Sequence, residues 1–119
     1  MEAFDVLGVP ARRRILELLA AGERSAGEVA EIIGGEFGIS QPAVSQHLRV
    51  LRDHGFASFR PSGTRRLYAV DPTALDAVEA WVADLRGAWE QRLDALGTEV
   101  ARGKRAHRNS MTATLRRMS

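Results

Sequence analysis

Amide, hydroxyl and guanidinium side chains recur along one side of the helix that the sequence predicts from Ser40 to about His54. At about 100° per residue, the opposite side of this helix is apolar and centres on Val44 and Leu48. The polar side consists of Gln41, Ser45, Gln46, Arg49, Arg52 and Asp53. An α-helix fits the major groove of B-DNA, where Gln pairs with adenine and Arg pairs with guanine or phosphate. These residue types favour DNA recognition, whereas a helix that is only packed would more often carry Glu and Lys on its solvent side.

His47 falls inside the apolar arc of this recognition helix, between Val44 and Val50. Two interpretations stay open for it: a packed imidazole with a backbone or phosphate partner, or a contact with a base. The N-terminus of the helix, which Ser40 is expected to cap, offers N–H groups to a phosphate. The three histidines of the chain are scattered and no cysteine is present, so the sequence predicts no metal site.

Four further helices and a β-hairpin are predicted to position the recognition helix, which gives a mainly α fold. The helices are predicted at residues 2–7, 10–21, 25–33, 40–55 and 71–102, and the strands at 56–60 and 65–70. Ser25 followed by Glu28 predicts a capping box, and Asp71 is expected to cap the last helix. The third helix, a short connection and the recognition helix together make a helix-turn-helix.

Two connections follow from turn-forming residues. Gly34, Gly35 and Gly38 are expected to form a loop between the third helix and the recognition helix. The segment Pro61-Ser62-Gly63-Thr64 predicts the turn of the hairpin.

Charge is distributed unevenly, although the net charge is only +2. Residues 40–66 hold five arginines and one acid, Asp53, whereas residues 71–99 hold seven acids and two arginines. Residues 104–119 hold five basic residues and no acid. This pattern suits a chain that meets a polyanion with one face, and the alternative is solvated charge placed by chance.

The length of 119 residues predicts a single domain, which we place at 1–102 and expect to bind DNA and dimerise. The basic, polar composition of residues 103–119 predicts a disordered tail. The tail either adds phosphate contacts or serves only solubility. No stretch approaches the ~20 apolar residues of a membrane span and no signal-peptide pattern is present, so we expect a cytoplasmic protein without a membrane partner. We find no Gly-rich phosphate loop, nucleophile elbow or His–carboxylate cluster, so we expect neither catalytic residues nor an enzyme.

Three segments resemble the ArsR/SmtB family of winged-helix repressors. Residues 39–56 carry the pattern Ser-x-x-x-Val-Ser-x-His-Leu-x-x-Leu and then a Gly, residues 10–19 resemble the second helix of the family, and residues 62–68 resemble its wing. The resemblance covers residues 3–100. It implies a homodimer, with one winged helix-turn-helix in each subunit, that represses transcription from an inverted-repeat operator in double-stranded DNA.

The resemblance also implies which residues contact DNA. Those expected in the major groove are Ser40, Gln41, Ser45, Gln46 and His47. The angular arrangement of the helix adds Arg49 to this surface and directs Arg52 toward phosphate. Arg65 and Arg66 of the wing are expected at phosphate or in the minor groove.

The dimer is implied to form through the first and last helices. The apolar residues expected there are Phe4, Leu7, Trp81, Val82, Leu85, Trp89, Leu93 and Leu96. They offer more apolar surface than one small domain can cover, and the alternative is that the last helix packs only on the first helix of its own chain.

Many members of this family sense metals through cysteines in the third helix, or through histidines and carboxylates in the last one. Here residues 25–33 contain no cysteine or histidine, and the last helix has no histidine as far as residue 102. We therefore expect no metal and no cofactor. The effector is then a small organic ligand or a protein, unless the regulator responds only to its own concentration. Two other functions stay open, a winged-helix protein-interaction module and a DNA-binding activator or architectural factor.

Overall fold

The structure is a computed structural model that describes residues 2–97. Within those residues the chain forms five helices and three strands. Their order is α1 (Glu2–Leu7), α2 (Pro10–Ala20), β1 (Arg24–Ser25), α3 (Ala26–Phe37), α4 (Gln41–Asp53), β2 (Ala57–Ser62), β3 (Arg65–Val70) and α5 (Pro72–Leu96). The mainly α fold with a hairpin wing is confirmed. The predicted end of the last helix near Arg102 and the tail at 103–119 lie outside the described residues.

The chain divides into two compact units, which are described separately. The first ends at Glu79 and contains the helix-turn-helix, the sheet and the first two turns of α5. The second begins at Ala80 and, as far as it is described, consists of the remainder of α5.

The core of the first unit gathers side chains from its helices and its sheet. The largest of the fully buried side chains are Ile15, Val29, Ile33, Val44, Leu48, Leu51 and Phe56. The predicted inward stripes of α2 and α3 are confirmed, with Ile32 partly buried against the core. Because α4 buries its apolar side here, its polar side must face away from the core.

Helix α3 begins at the predicted capping box. The Ser25 hydroxyl accepts a hydrogen bond from the Glu28 N–H at 3.2 Å, and the Glu28 carboxylate accepts one from the Ser25 N–H at 3.3 Å. Donation by the Ser25 N–H and hydroxyl holds the pKa of Glu28 below its usual value. At neutral pH the carboxylate is therefore charged and accepts the hydrogen bond of the Ser25 N–H, which has no partner within the helix.

The loop predicted at Gly34 and Gly35 is wrong, because α3 continues through both residues to Phe37. A Cβ at Gly34 would lie 3.1 Å from the Ile39 carbonyl oxygen, so this glycine permits a close approach of the chain. Gly38, whose φ of 65° lies in the left-handed region, caps the C-terminus of α3. The connection to α4 is thus only residues 38–40, which is short enough for a helix-turn-helix.

The sheet contains one strand that was not predicted. β1 pairs antiparallel with β3, in register Arg24 with Tyr68, and the strand order is β1-β3-β2. Strand β2 starts one residue later than predicted and continues through Pro61 and Ser62, so the turn is shorter than the four predicted residues. Pro61 is tolerated because β2 is an edge strand, where a missing N–H breaks no ladder.

Candidate nucleic-acid interface

The predicted recognition arc lies on the surface of the first unit. Gln41, Ser45, Gln46 and Arg49 are exposed on α4, while Val44 and Leu48, on its other side, are buried. Ser40 precedes the helix in extended conformation and its hydroxyl accepts a hydrogen bond from the Ala43 N–H at 3.2 Å. The cap and the buried side together fix which groups α4 presents to solvent.

His47 is partly buried and contacts α2. Its Nδ1 accepts a hydrogen bond from Arg12 Nε at 3.2 Å. Burial, and to a smaller extent the charge of Arg12, lowers the pKa of His47. An imidazole that accepts at Nδ1 is neutral and carries its proton on Nε2. This geometry supports the packed interpretation in the free protein, and a contact between His47 and DNA stays a prediction.

The two adjacent wing arginines point to opposite sides of the sheet. Arg66 is paired with Pro61 and Tyr68 with Phe59, which places all four on one face. Arg65 lies on the other face, where its Nη1 is 3.9 Å from the Glu28 carboxylate. The sequence predicted the same role for both arginines, and the alternation of the strand gives them different surroundings.

Arg60 shares the face of Arg65 and forms an ion pair with Glu23, with 3.0 Å between Nη2 and the carboxylate. The side chain of Arg60 is 62% exposed and that of Arg65 is 64% exposed. Exposed pairs of this kind contribute little to stability. Both guanidinium groups can therefore exchange their carboxylate for a phosphate at small cost.

Arg66 and Arg52 share a contact that sequence reasoning missed. The guanidinium carbon of Arg66 lies 4.7 Å from the centre of the Phe59 ring, and that of Arg52 lies 5.2 Å from it. Arg52 also approaches Asp53 at 3.6 Å. The sequence signal that could have found this contact is the alternation of side chains along the hairpin, which puts Phe59 on the same face as Arg66 and Tyr68. Which residues of the two strands share a face can be worked out only when the length of the turn is known.

The second unit presents an apolar side. Trp81, Val82, Leu85, Trp89 and Leu96 are exposed, with values that reach 66% at Leu96, and Leu93 is partly buried. At 100° per residue they occupy one side of α5. In the first unit, Phe4 is 38% exposed and Leu7 packs partly against the core.

Across residues 2–97, no group of three or more His, Cys, Asp or Glu side chains is placed to hold a metal ion. None of the helices described is long and apolar enough to cross a membrane.

Comparison with known proteins identifies relatives of this chain. A family model described as a helix-turn-helix domain matches residues 7–57. The HTH-type transcriptional regulator Rv2034 of Mycobacterium tuberculosis is 39% identical over 103 residues, which cover 82% of this chain and 92% of that protein. The transcriptional repressor SdpR of Bacillus subtilis is 34% identical over 79 residues, which cover 66% and 83% of the two chains.

Solved structures agree with these relatives. The ArsR family transcriptional regulator RHA00566 has 30% identity and a TM-score of 0.64, with 74% of this chain and 87% of that chain covered. The homodimeric winged helix-turn-helix DNA-binding domain Mb0332 of Mycobacterium bovis, titled a possible ArsR-family regulator, has 30% identity and a TM-score of 0.54, with 69% and 75% covered. The chain therefore belongs to the ArsR family of winged helix-turn-helix proteins and is a DNA-binding transcriptional regulator.

Proposed function

We propose that the chain is a homodimeric repressor that binds an inverted-repeat operator without using a metal sensor. The observation that carries this proposal is the exposed arc of Gln41, Ser45, Gln46 and Arg49 on a helix whose other side is buried. These groups are free to enter the major groove, and their chemistry suits base edges there. Repression follows when the dimer occupies DNA that the polymerase needs, and the relative SdpR is named a repressor.

In this proposal Ser40, Gln41, Ser45 and Gln46 contact bases, with the Nε2–H of His47 directed to DNA. Phosphates are bound by Arg49 and Arg52 of α4 and by Arg65 and Arg66 of the wing. Binding of this kind requires no catalytic group, and we infer that the protein is not an enzyme and acts in the cytoplasm, where a bacterial chromosome lies.

The apolar side of α5 supports the dimer. Two large aromatic side chains, Trp81 and Trp89, are 47% and 55% exposed within one chain. Apolar surface of this kind marks an interaction site, and the related domain Mb0332 is homodimeric. A twofold axis would place one α4 in each half of a palindromic operator. The participation of α1 through Phe4 and Leu7 stays a prediction.

Duplex binding should weaken steeply as salt increases. If the four arginines named above neutralise three or four phosphates in each of the two subunits, the plot of log K against log salt has a slope of roughly −5 to −7. Fluorescence anisotropy with a duplex from the protein's own promoter region, between about 50 and 200 mM KCl, measures this slope. Absence of binding, or a slope near zero, would show that the proposed function is wrong.

Replacing Gln46 should change sequence preference, whereas replacing Arg66 should not. Gln46→Ala removes an amide that can form two hydrogen bonds with one adenine, and its loss costs about 1–3 kcal/mol at that base pair. Arg66→Ala removes a phosphate contact and should weaken operator and unrelated DNA by the same factor. Selection of bound duplexes from a random pool separates the two outcomes. Unchanged preference and affinity in Gln46→Ala would mean that this side of α4 does not face the bases.

A further inference from the structure

One aromatic ring of the wing contacts cations from two different elements. The guanidinium carbon of Arg52, in α4, lies 5.2 Å from the centre of the Phe59 ring, and that of Arg66, in β3, lies 4.7 Å from it. The Phe59 ring in turn packs at 5.4 Å on the ring of Tyr68, which is 7% exposed. The ring is therefore supported from the core, and it connects the C-terminal part of α4 to the wing.

The two cations lie close enough to repel each other. Both are near one ring centre, so their guanidinium carbons are no more than about 10 Å apart, which is about one Debye length at moderate salt. The negative face of an aromatic ring attracts a guanidinium group and keeps both side chains at this position. The remaining repulsion between them is relieved when an anion binds beside them.

The arginines on the two faces of the wing differ in how closely acidic side chains approach them. Arg60 and Arg65, on the other face of the wing, approach Glu23 and Glu28. Arg66 is exposed and, within the part of the chain that the structure describes, forms no ion pair within 4.0 Å. Among the acidic residues in 2–97, the one within 4.0 Å of Arg52 is its neighbour in the sequence, Asp53, at 3.6 Å. The pair around Phe59 is thus short of negative charge.

We propose that Phe59 is a positioning residue that holds Arg52 and Arg66 as one binding site for a phosphodiester of the DNA backbone. This inference rests on the proposed function, since the phosphate belongs to bound duplex DNA. The benefit is that the arginines are ordered before DNA arrives. Ordering a flexible side chain at an interface weakens binding by roughly two- to tenfold, and the Phe59 ring avoids that loss for both arginines.

The test compares variants of the full chain at residue 59. Phe59→Leu keeps an apolar side chain but removes the ring face, and we expect affinity for operator and unrelated duplex to fall together by about tenfold, with a shallower salt slope. Phe59→Tyr keeps the ring and should stay within about twofold of the wild type. Arg60→Ala is the matched control for Arg66→Ala, because each removes one exposed guanidinium group of the wing but that of Arg60 pairs with Glu23 and does not contact the ring. Arg60→Ala should therefore weaken binding less than Arg66→Ala.

A role through the arginines is distinguished from a merely structural one by a double-mutant cycle. In an Arg52→Ala/Arg66→Ala background, Phe59→Leu should have no further effect on affinity. A full further loss there would overturn the proposal and assign Phe59 to packing. If Phe59→Leu does not fold, as judged by circular dichroism, the cycle between Arg52→Ala and Arg66→Ala decides. A shared phosphate makes their losses less than multiplicative, and multiplicative losses would overturn the proposal.

Failure of this inference is distinct from failure of the proposed function. If the wild type binds no duplex DNA, the function itself is wrong. If the wild type binds with a steep salt slope but Phe59→Leu binds equally well with the same slope, only the role of Phe59 is wrong.

Discussion

Trp89→Glu in α5 is expected to convert the dimer into monomers and to abolish operator binding at concentrations that saturate the wild type. Trp89 is 55% exposed within one chain and lies on the same side of the helix as Leu85, which is 57% exposed. A carboxylate at this position must either lose its hydration in the interface or keep the two subunits apart. Because a twofold interface contains the substitution twice, we expect the dimer dissociation constant to rise by about a thousandfold or more.

Loss of DNA binding follows from the loss of the second half-site contact. A monomer engages only one half of the operator, so the gain from linking two recognition helices disappears. Sedimentation velocity across a concentration series measures the oligomeric state, and anisotropy measures binding on the same samples.

Gln91→Glu is the matched control for this experiment, because it adds the same charge two residues away on another side of α5. It should remain dimeric and bind DNA nearly as well as the wild type. A Trp89→Glu protein that sediments as the wild-type dimer would mean that the apolar side of α5 is not the interface.

The features that could be predicted from the sequence are those determined by residues close together in the chain. The recognition helix is such a case, because its cap at Ser40 lies three residues from the N–H that it binds. The capping box at Ser25 and the exposed polar arc of α4 depend on equally short spacings. Helical periodicity therefore predicts which side of α4 is exposed without knowledge of any tertiary contact.

The features that escaped prediction depend on contacts between distant residues. Gly34 reads as a loop residue, yet it lies in α3, where the absence of a Cβ permits the close approach of the Ile39 carbonyl. Strand β1 has two residues and shows no periodicity, so only its pairing with β3 reveals it. The contact of His47 with Arg12 joins residues 35 positions apart.

The different surroundings of Arg65 and Arg66 in the wing were not predicted from the sequence either. Composition indicates only that Arg65 and Arg66 are basic and adjacent. Whether each faces Phe59 or Glu28 depends on the register of β2 with β3. A shift of one residue in that register would exchange the two faces. Residue types thus predict that a wing forms, and the register determines that Arg66 shares the Phe59 ring with Arg52 of α4.

Phe56→Ala is expected to cost about 3–5 kcal/mol of unfolding free energy, the range for removing a large buried aromatic side chain. The Phe56 side chain is completely buried. Its N–H donates to the Leu51 carbonyl at 2.8 Å, and its own carbonyl accepts from the Asp71 N–H at 2.9 Å. Phe56 therefore joins the end of α4 to the start of α5 and leads directly into β2.

Phe37→Ala makes the same chemical change at a residue that is 40% exposed at the end of α3. Because this side chain gives up less apolar contact, we expect a loss of only about 1 kcal/mol. Urea unfolding followed by circular dichroism compares the two variants, and with total stabilities of about 5–15 kcal/mol the difference is large enough to measure. Equal losses in the two variants would contradict the core position of Phe56.

The Phe56 substitution also tests how recognition depends on the scaffold. Phe56 lies in the chain between the recognition helix and the wing, and its side chain is buried in the core, so the cavity left by alanine loosens the segment that joins them. Under conditions where Phe56→Ala is still folded, operator affinity should fall more than that of Phe37→Ala, although neither phenylalanine faces DNA in this proposal. If folded Phe56→Ala binds its operator as tightly as the wild type, then α4 alone determines affinity and the wing contributes nothing that depends on its position.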